Sequence, residues 1–138
     1  MAVMKTVQVA EIISQGGRAG SAEAPDGSFS VKFTPLSAHD PRGVTPEHLF
    51  AAAYAACFHS AVLAHAERAH FKLVGSTITG RVSLNENNRG EYELGVELRA
   101  SMPGLARKDA EHLLHEAHTT CPYSKAVRGN VNVTLTLD

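Results

Sequence analysis

The chain is expected to fold as one α+β domain, 1–138, with antiparallel strand pairing, and three observations lead there. A single long helical signal runs from Thr45 to about His70. Segments on either side of it alternate Val, Ile, Leu or Phe with polar residues, as half-buried strands do. A second helical pattern stands apart, just before the last strand. Strands and helices grouped in this way point to α+β rather than to alternating parallel units. A length of 138 residues suits one ordinary domain.

The elements follow in order. Thr6 to Ile12 alternates partly and reads as a first strand. Gly16-Gly17-Arg18-Ala19-Gly20 is a turn signal. Phe29, Val31 and Phe33 alternate with Ser30 and Lys32 after a Pro25-Asp26-Gly27 turn, giving a short strand. At the long helix Thr45 is suited to the N-cap, Pro46 to the first helical position, and Glu47 to the positive helix end. Leu73 to Leu84 and Tyr92 to Met102 form a hairpin with a loop longer than two residues. Ala110, Leu113, Leu114 and Ala117 follow the i, i+3, i+4, i+7 rule of an amphipathic helix. Pro122 disfavours helical geometry at Cys121, so that helix should break there and a short turn follow. Val131, Val133, Leu135 and Leu137 alternate with polar residues in a final strand.

Composition excludes several functions. Lys+Arg total 13 against 14 Asp+Glu, so a net charge of −1 gives no pull toward nucleic acid or anionic membrane. The N-terminus shows no basic region followed by an apolar run, so no signal peptide is read. The longest apolar stretch, Leu49 to Phe58, is ten residues, too short to span a bilayer. The expected location is the cytoplasm, where thiols stay reduced. The 2 cysteines, Cys57 and Cys121, suffice neither for a secreted disulfide framework nor for a four-cysteine zinc site.

Leu49 to Phe58 is apolar all round and rich in alanine, so it should be buried on every side and closely approached by other elements. One small domain has difficulty covering such a helix, and a two-fold dimer would solve that. Taken alone, Cys57 reads as a space-filling core cysteine. Cys121 differs: at the N-cap of a helical turn, unpaired N–H groups favour a thiolate.

Three motifs carry a family resemblance that covers essentially the whole chain. Pro46-Glu47-His48-Leu49-Phe50-Ala51-Ala52-Ala53-Tyr54-Ala55-Ala56-Cys57-Phe58 resembles the cysteine helix of the Ohr/OsmC family. Cys121-Pro122-Tyr123-Ser124-Lys125-Ala126-Val127-Arg128-Gly129-Asn130-Val131 resembles its second cysteine motif, with the tyrosine typical of the Ohr branch. Gly16-Gly17-Arg18-Ala19-Gly20 is similar to its arginine turn. His48 stands where glutamine is common and Ala53 where glycine is common, and neither change removes a reactive group.

The resemblance implies antiparallel sheets wrapped around a long buried cysteine-bearing helix in an intertwined homodimer. It implies a thiol peroxidase for organic hydroperoxides, with Cys57 peroxidatic, Cys121 resolving, Arg18 stabilising thiolate and peroxide, and Glu47 orienting Arg18. No bound cofactor or metal is implied; dihydrolipoamide or a lipoylated protein is the implied external reductant. The chemistry agrees: a thiolate attacks the O–O bond and becomes a sulfenic acid, and a second thiol condenses with it. A buried thiol has its pKa raised, so a permanently charged guanidinium would be needed to offset this.

Glu47 and Cys57 lie 10 residues apart, hence roughly 15 Å along one continuous helix. An active site at the dimer interface, with Glu47 and Arg18 reaching the other chain's Cys57, is the expectation. Phe50, Tyr54, Phe58 and Tyr123 would line an apolar pocket favouring alkyl or lipid hydroperoxides.

Two alternatives compete. Cys57, His59, His118 and Cys121 carry the atoms of a zinc site, and His112, His115 and His118 recur along a helix flank. Against this, positions two apart do not share a helix face, and His112 and His115 read as solvated. The other alternative is a redox sensor or carrier using the same cysteine pair without turnover.

Overall fold

The computed structural model describes residues 2–138, which fall into two compact units, the first ending at Pro46 and the second spanning Glu47–Asp138.

The first unit holds three short strands, β1 (Ile13–Gln15), β2 (Ser21–Glu23) and β3 (Ser30–Lys32), paired antiparallel in that order. A 3-10 turn, Gly17–Ala19, joins β1 to β2 and carries Arg18. Glycine is required here for two reasons. Gly16 and Gly17 have φ of +80° and +60°, in the left-handed region. A Cβ on Gly20 would stand 1.8 Å from the Gln15 carbonyl oxygen. The Asp26 carboxylate closes the β2–β3 connection by accepting both the backbone N–H and the hydroxyl of Ser28.

The expected strand Thr6 to Ile12 does not form. Residues 2–12 are irregular, with Val7 and Val9 89% and 81% exposed, and pairing begins only at Ile13. Alternation alone does not make a strand: residues 6–12 pair with none of β1, β2 and β3, and without a ladder their backbone has no reason to stay extended.

The second unit begins with α1 (Pro46–Arg68), followed by β4 (Thr77–Glu86), β5 (Tyr92–Ser101), α2 (Arg107–Thr120), α3 (Pro122–Val127) and β6 (Asn132–Leu137). β4 and β5 form the expected hairpin. Asn87 closes its loop, its side-chain oxygen accepting the N–H groups of Arg89 and Glu91. The strand face with Val96, Leu98 and Ala100 is buried with Tyr54, Phe58, Val62 and Ala66 of α1 and Ala110, Leu113, Leu114 and Ala117 of α2. Each large side chain fully enclosed there contributes about 1.5–3 kcal/mol. The opposite face is polar, with Arg81 and Arg99 3.5 and 3.6 Å from Glu97.

Two expectations are corrected. β6 pairs with β5 in parallel, not antiparallel, Gly95 facing Asn132 and Ala100 facing Leu137. Two helices intervene, enough chain to cross over and re-enter the sheet in the same direction. The second concerns α1, which is not buried on all sides. One stripe, Tyr54, Phe58, Val62 and Ala66, is buried, while Ala52, Ala56, Ser60 and Ala64 are exposed and Leu63 is 44% exposed. One sheet face can cover only one side of a helix. By length and composition α1 could cross a membrane, a test that core helices of soluble domains also pass, and its buried stripe is that of a core helix.

The alanines of α1 do serve close approach. A Cβ on Gly80 of β4 would lie 2.9 Å from the Ala51 carbonyl oxygen and 3.2 Å from the Ala55 Cβ. Gly80→Ala is therefore expected to cost about 1–3 kcal/mol by overpacking, read as a lower Tm in thermal unfolding.

Candidate functional site

Cys57 and Cys121 are brought together inside the second unit. Cys57 lies midway along α1, half-buried, and Cys121 is fully buried at the junction of α2 and α3. Their Sγ atoms are 3.7 Å apart, with the Cys121 thiol directed at the Cys57 sulfur. Both are free thiols. Pro122 creates the junction: it drives Cys121 to φ −59° and ψ 124°, out of helical geometry. The Cys121 N–H still bonds to the Ala117 carbonyl at 2.8 Å, closing α2, while its own carbonyl accepts the Lys125 N–H at 3.0 Å, opening α3. Cys121 is thus anchored at both ends on the backbone. A disulfide would need the sulfurs to close by only about 1.6 Å.

Burial pushes the Cys57 thiol above its ordinary pKa, and the adjacent Cys121 adds to this, because two thiolates so close repel. The Tyr123 backbone N–H bonds to Cys57 and pulls the other way. The sequence directs the donors at the start of α3 toward Cys121; the structure turns one of them onto Cys57.

The four aromatics divide. Tyr54 and Phe58 are fully enclosed in the core, so Phe58 is walled off from any open pocket in this chain. Tyr123 is 41% exposed and Phe50 partly so. Phe50, Tyr54 and Tyr123 form a row, with ring centroids 6.3 and 6.0 Å apart.

The sequence reading gives Ser124 and Arg128 no role of their own and names His118 only as a zinc ligand. Ser124, fully buried on α3, bonds to the Tyr54 hydroxyl at 2.7 Å and to His118 Nδ1 at 2.8 Å. Arg128 donates to the His118 carbonyl at 2.6 Å. Burial, followed by the nearby Arg128 and His115, pushes the His118 imidazole below its ordinary pKa. Unfolded His118 therefore takes up its proton first as pH falls. The stability it confers is complete above about pH 6.5 and is lost as pH falls through the lower folded value. Acidification across that range should lower the Tm of the native chain more than that of His118→Asn.

The histidines of the zinc alternative are engaged elsewhere. His59 Nε2 is 3.0 Å from the Ser76 hydroxyl and His118 is bonded to Ser124, while His112 pairs with Glu116 at 2.7 Å. Among the described residues no group of three or more His, Cys, Asp or Glu is placed to hold a metal ion.

Glu47 occupies the first turn of α1, half-buried, and α1 runs unbroken from there past Cys57. The separation of roughly 15 Å along the axis therefore holds. Arg18 lies in the first unit, exposed on the 3-10 turn. Both residues make polar interactions.

The pattern of the OsmC-like protein family matches residues 38–136. The organic hydroperoxide resistance protein OhrB of Bacillus subtilis (strain 168) is 40% identical over 131 residues, covering 93% of this chain and 96% of the relative. The crystal structure of Bacillus subtilis OhrB superposes with a TM-score of 0.87 at 38% identity, covering 96% of this chain and 100% of that one. An organic hydroperoxide resistance protein OsmC from Legionella pneumophila gives a TM-score of 0.88 at 38% identity, over 97% and 99%.

Proposed function

Because the chain belongs to the OsmC-like family, and within it to the organic hydroperoxide resistance branch, we propose that it is a thiol-dependent peroxidase reducing alkyl or lipid hydroperoxides to alcohols. The observation that carries the reading is the 3.7 Å separation of two free thiols on different helices, one partly accessible and one enclosed.

The Cys57 thiolate attacks the terminal peroxide oxygen. The O–O bond breaks, the alkoxide takes a proton and leaves as the alcohol, and Cys57 becomes a sulfenic acid. Cys121 then attacks the Cys57 sulfur, forming the disulfide while the sulfenic oxygen departs as water. An external dithiol of the lipoyl type, dihydrolipoamide or a lipoylated protein, reopens the bond by two exchanges and ends as its own disulfide. The reading needs no bound cofactor and suits the reducing cytoplasm.

The thiolate must be stabilised against burial. The Tyr123 N–H supplies part of this. The family resemblance assigns the rest to Arg18, oriented by Glu47, and the pair would act on Cys57 of a second copy in a homodimer. The distance along α1 supports that arrangement, since Glu47 and Cys57 stand on one unbroken helix. So do exposed apolar groups in each unit: Val3, Met4, Val7 and Val9 in the first, Leu63 beside the alanine stripe in the second. Arg18→Ala should raise the pH midpoint of thiolate absorbance at Cys57; an unchanged midpoint would remove Arg18 from this role.

The deciding assay follows loss of tert-butyl hydroperoxide by the reduced chain with dihydrolipoamide in excess. Many turnovers per chain are expected. Consumption of one equivalent and no more would leave a sensor, and no consumption would reject both.

A further inference from the structure

The polar chain from Tyr54 through Ser124 to His118 has no part in the peroxidase chemistry above, yet it is built around the resolving cysteine. Resting on that peroxidase reading, we propose that Ser124 is the positioning residue of the disulfide-forming step. It is clamped between Tyr54 of α1 and His118 of α2, so that α3 holds Cys121 against Cys57.

Among the described residues Ser124 is the one buried polar side chain, and its hydroxyl meets two other elements at once, at 2.7 and 2.8 Å. Tyr54 lies one helical turn before Cys57 on α1. Ser124 lies three residues after Cys121, within the same short helix that presents the Tyr123 N–H to Cys57. The backbone bonds of Cys121 run to Ala117 and Lys125, which fix it to α2 and α3. The Tyr54–Ser124 bond ties α3 across to the cysteine helix itself.

The step is Cys57–SOH plus Cys121–SH giving the disulfide and water. An S–S bond forms, the S–O and S–H bonds break, and the thiol proton ends in the water. It is a displacement between a half-buried and a fully enclosed group held on different helices, so small misplacement is costly.

The donors in the clamp can be counted. With His118 neutral, the Tyr54 hydroxyl donates to Ser124 and the Ser124 hydroxyl donates to Nδ1, so each hydroxyl has an acceptor. A protonated His118 can only donate at Nδ1. Ser124 must then accept at that contact, and one hydroxyl hydrogen of the clamp, that of Ser124 or that of Tyr54, is left without an acceptor within it. Burial first, then Arg128 beyond α3 and His115 on its own helix, favour the neutral form of His118, while Ser124 of α3 is bonded to its Nδ1 and Tyr54 of α1 stands behind Ser124. The Tyr54 phenol in turn faces both thiols. The clamp is therefore closed at neutral pH and loosens in acid.

The test compares the full chain with Ser124→Ala and His118→Asn, whose amide still reaches Ser124. Each reduced protein is mixed with one equivalent of tert-butyl hydroperoxide or, separately, of diamide. Diamide takes two electrons and two protons from the thiol pair as it becomes a hydrazine. Mass spectrometry reads first oxidation of Cys57 and then the disulfide. In Ser124→Ala the ratio of disulfide formation to first oxidation should fall about tenfold with both oxidants, and Cys57 sulfinic acid should accumulate under excess peroxide. In the native chain that ratio should drop in acid, at a pH below the ordinary imidazole range, and His118→Asn should flatten the drop. Native ratios in Ser124→Ala, or an acid limb that survives in His118→Asn, would overturn the clamp. A native chain inert to the hydroperoxide that still shows the split with diamide would overturn the peroxidase reading and leave the clamp standing.

Discussion

Cys57→Ser is expected to eliminate the proposed reduction of alkyl hydroperoxides, lowering turnover by more than about a thousandfold, as removal of a nucleophile does elsewhere. A serine hydroxyl at neutral pH has neither the ionisation nor the polarisability to attack an O–O bond. Cys57 is the cysteine with access: it is half-buried where Cys121 is fully enclosed, and the Tyr123 N–H is bonded to it. The side chain shrinks little and lies outside the fully buried stripe of α1, so the fold should survive. Steady-state peroxide loss with dihydrolipoamide is the readout, with circular dichroism as the control. Native turnover in Cys57→Ser would move the nucleophile elsewhere.

Cys121→Ser is expected to have an effect of similar size on turnover but a different signature. The first oxidation proceeds, one equivalent of alcohol appears, and the chain stops as a Cys57 sulfenic acid. With no thiol 3.7 Å away, that acid persists and climbs to sulfinic acid in excess peroxide. A pre-steady-state burst of one alcohol per chain, with multiple turnovers lost, is the expected record. Sustained turnover would mean that the reductant attacks the sulfenic acid directly and that Cys121 is dispensable.

Much of this was legible in the residues because it is local. Thr45-Pro46-Glu47 marks the start of α1, the alternation of β4 and β5 marks the hairpin, and Cys121-Pro122 marks the break between α2 and α3. These signals act within one turn or one strand. What escaped depends on distant partners. Thr6 to Ile12 alternates like a strand but pairs with no strand of the sheet that follows it, and β6 alternates equally well for a parallel or an antiparallel neighbour. The all-apolar stretch of α1 could not tell which face the sheet would cover. Ser124 is not marked in the sequence: a serine in Tyr123-Ser124-Lys125 carries no sign of burial, and its partner Tyr54 is 70 residues away. The cysteine motifs were found as motifs; their approach to 3.7 Å belongs to the packing of α1 against the α2–α3 junction.

The proposed peroxidase chemistry makes these two sulfurs one redox pair acting on an organic hydroperoxide. Its most direct test is to add one equivalent of tert-butyl hydroperoxide to the fully reduced chain and map the peptides by mass spectrometry without reductant. A single Cys57–Cys121 crosslink within one chain, with the mass lower by two hydrogens, is the expected result. Two free thiols after exposure, or oxygen gained first at Cys121 with Cys57 untouched, would contradict it.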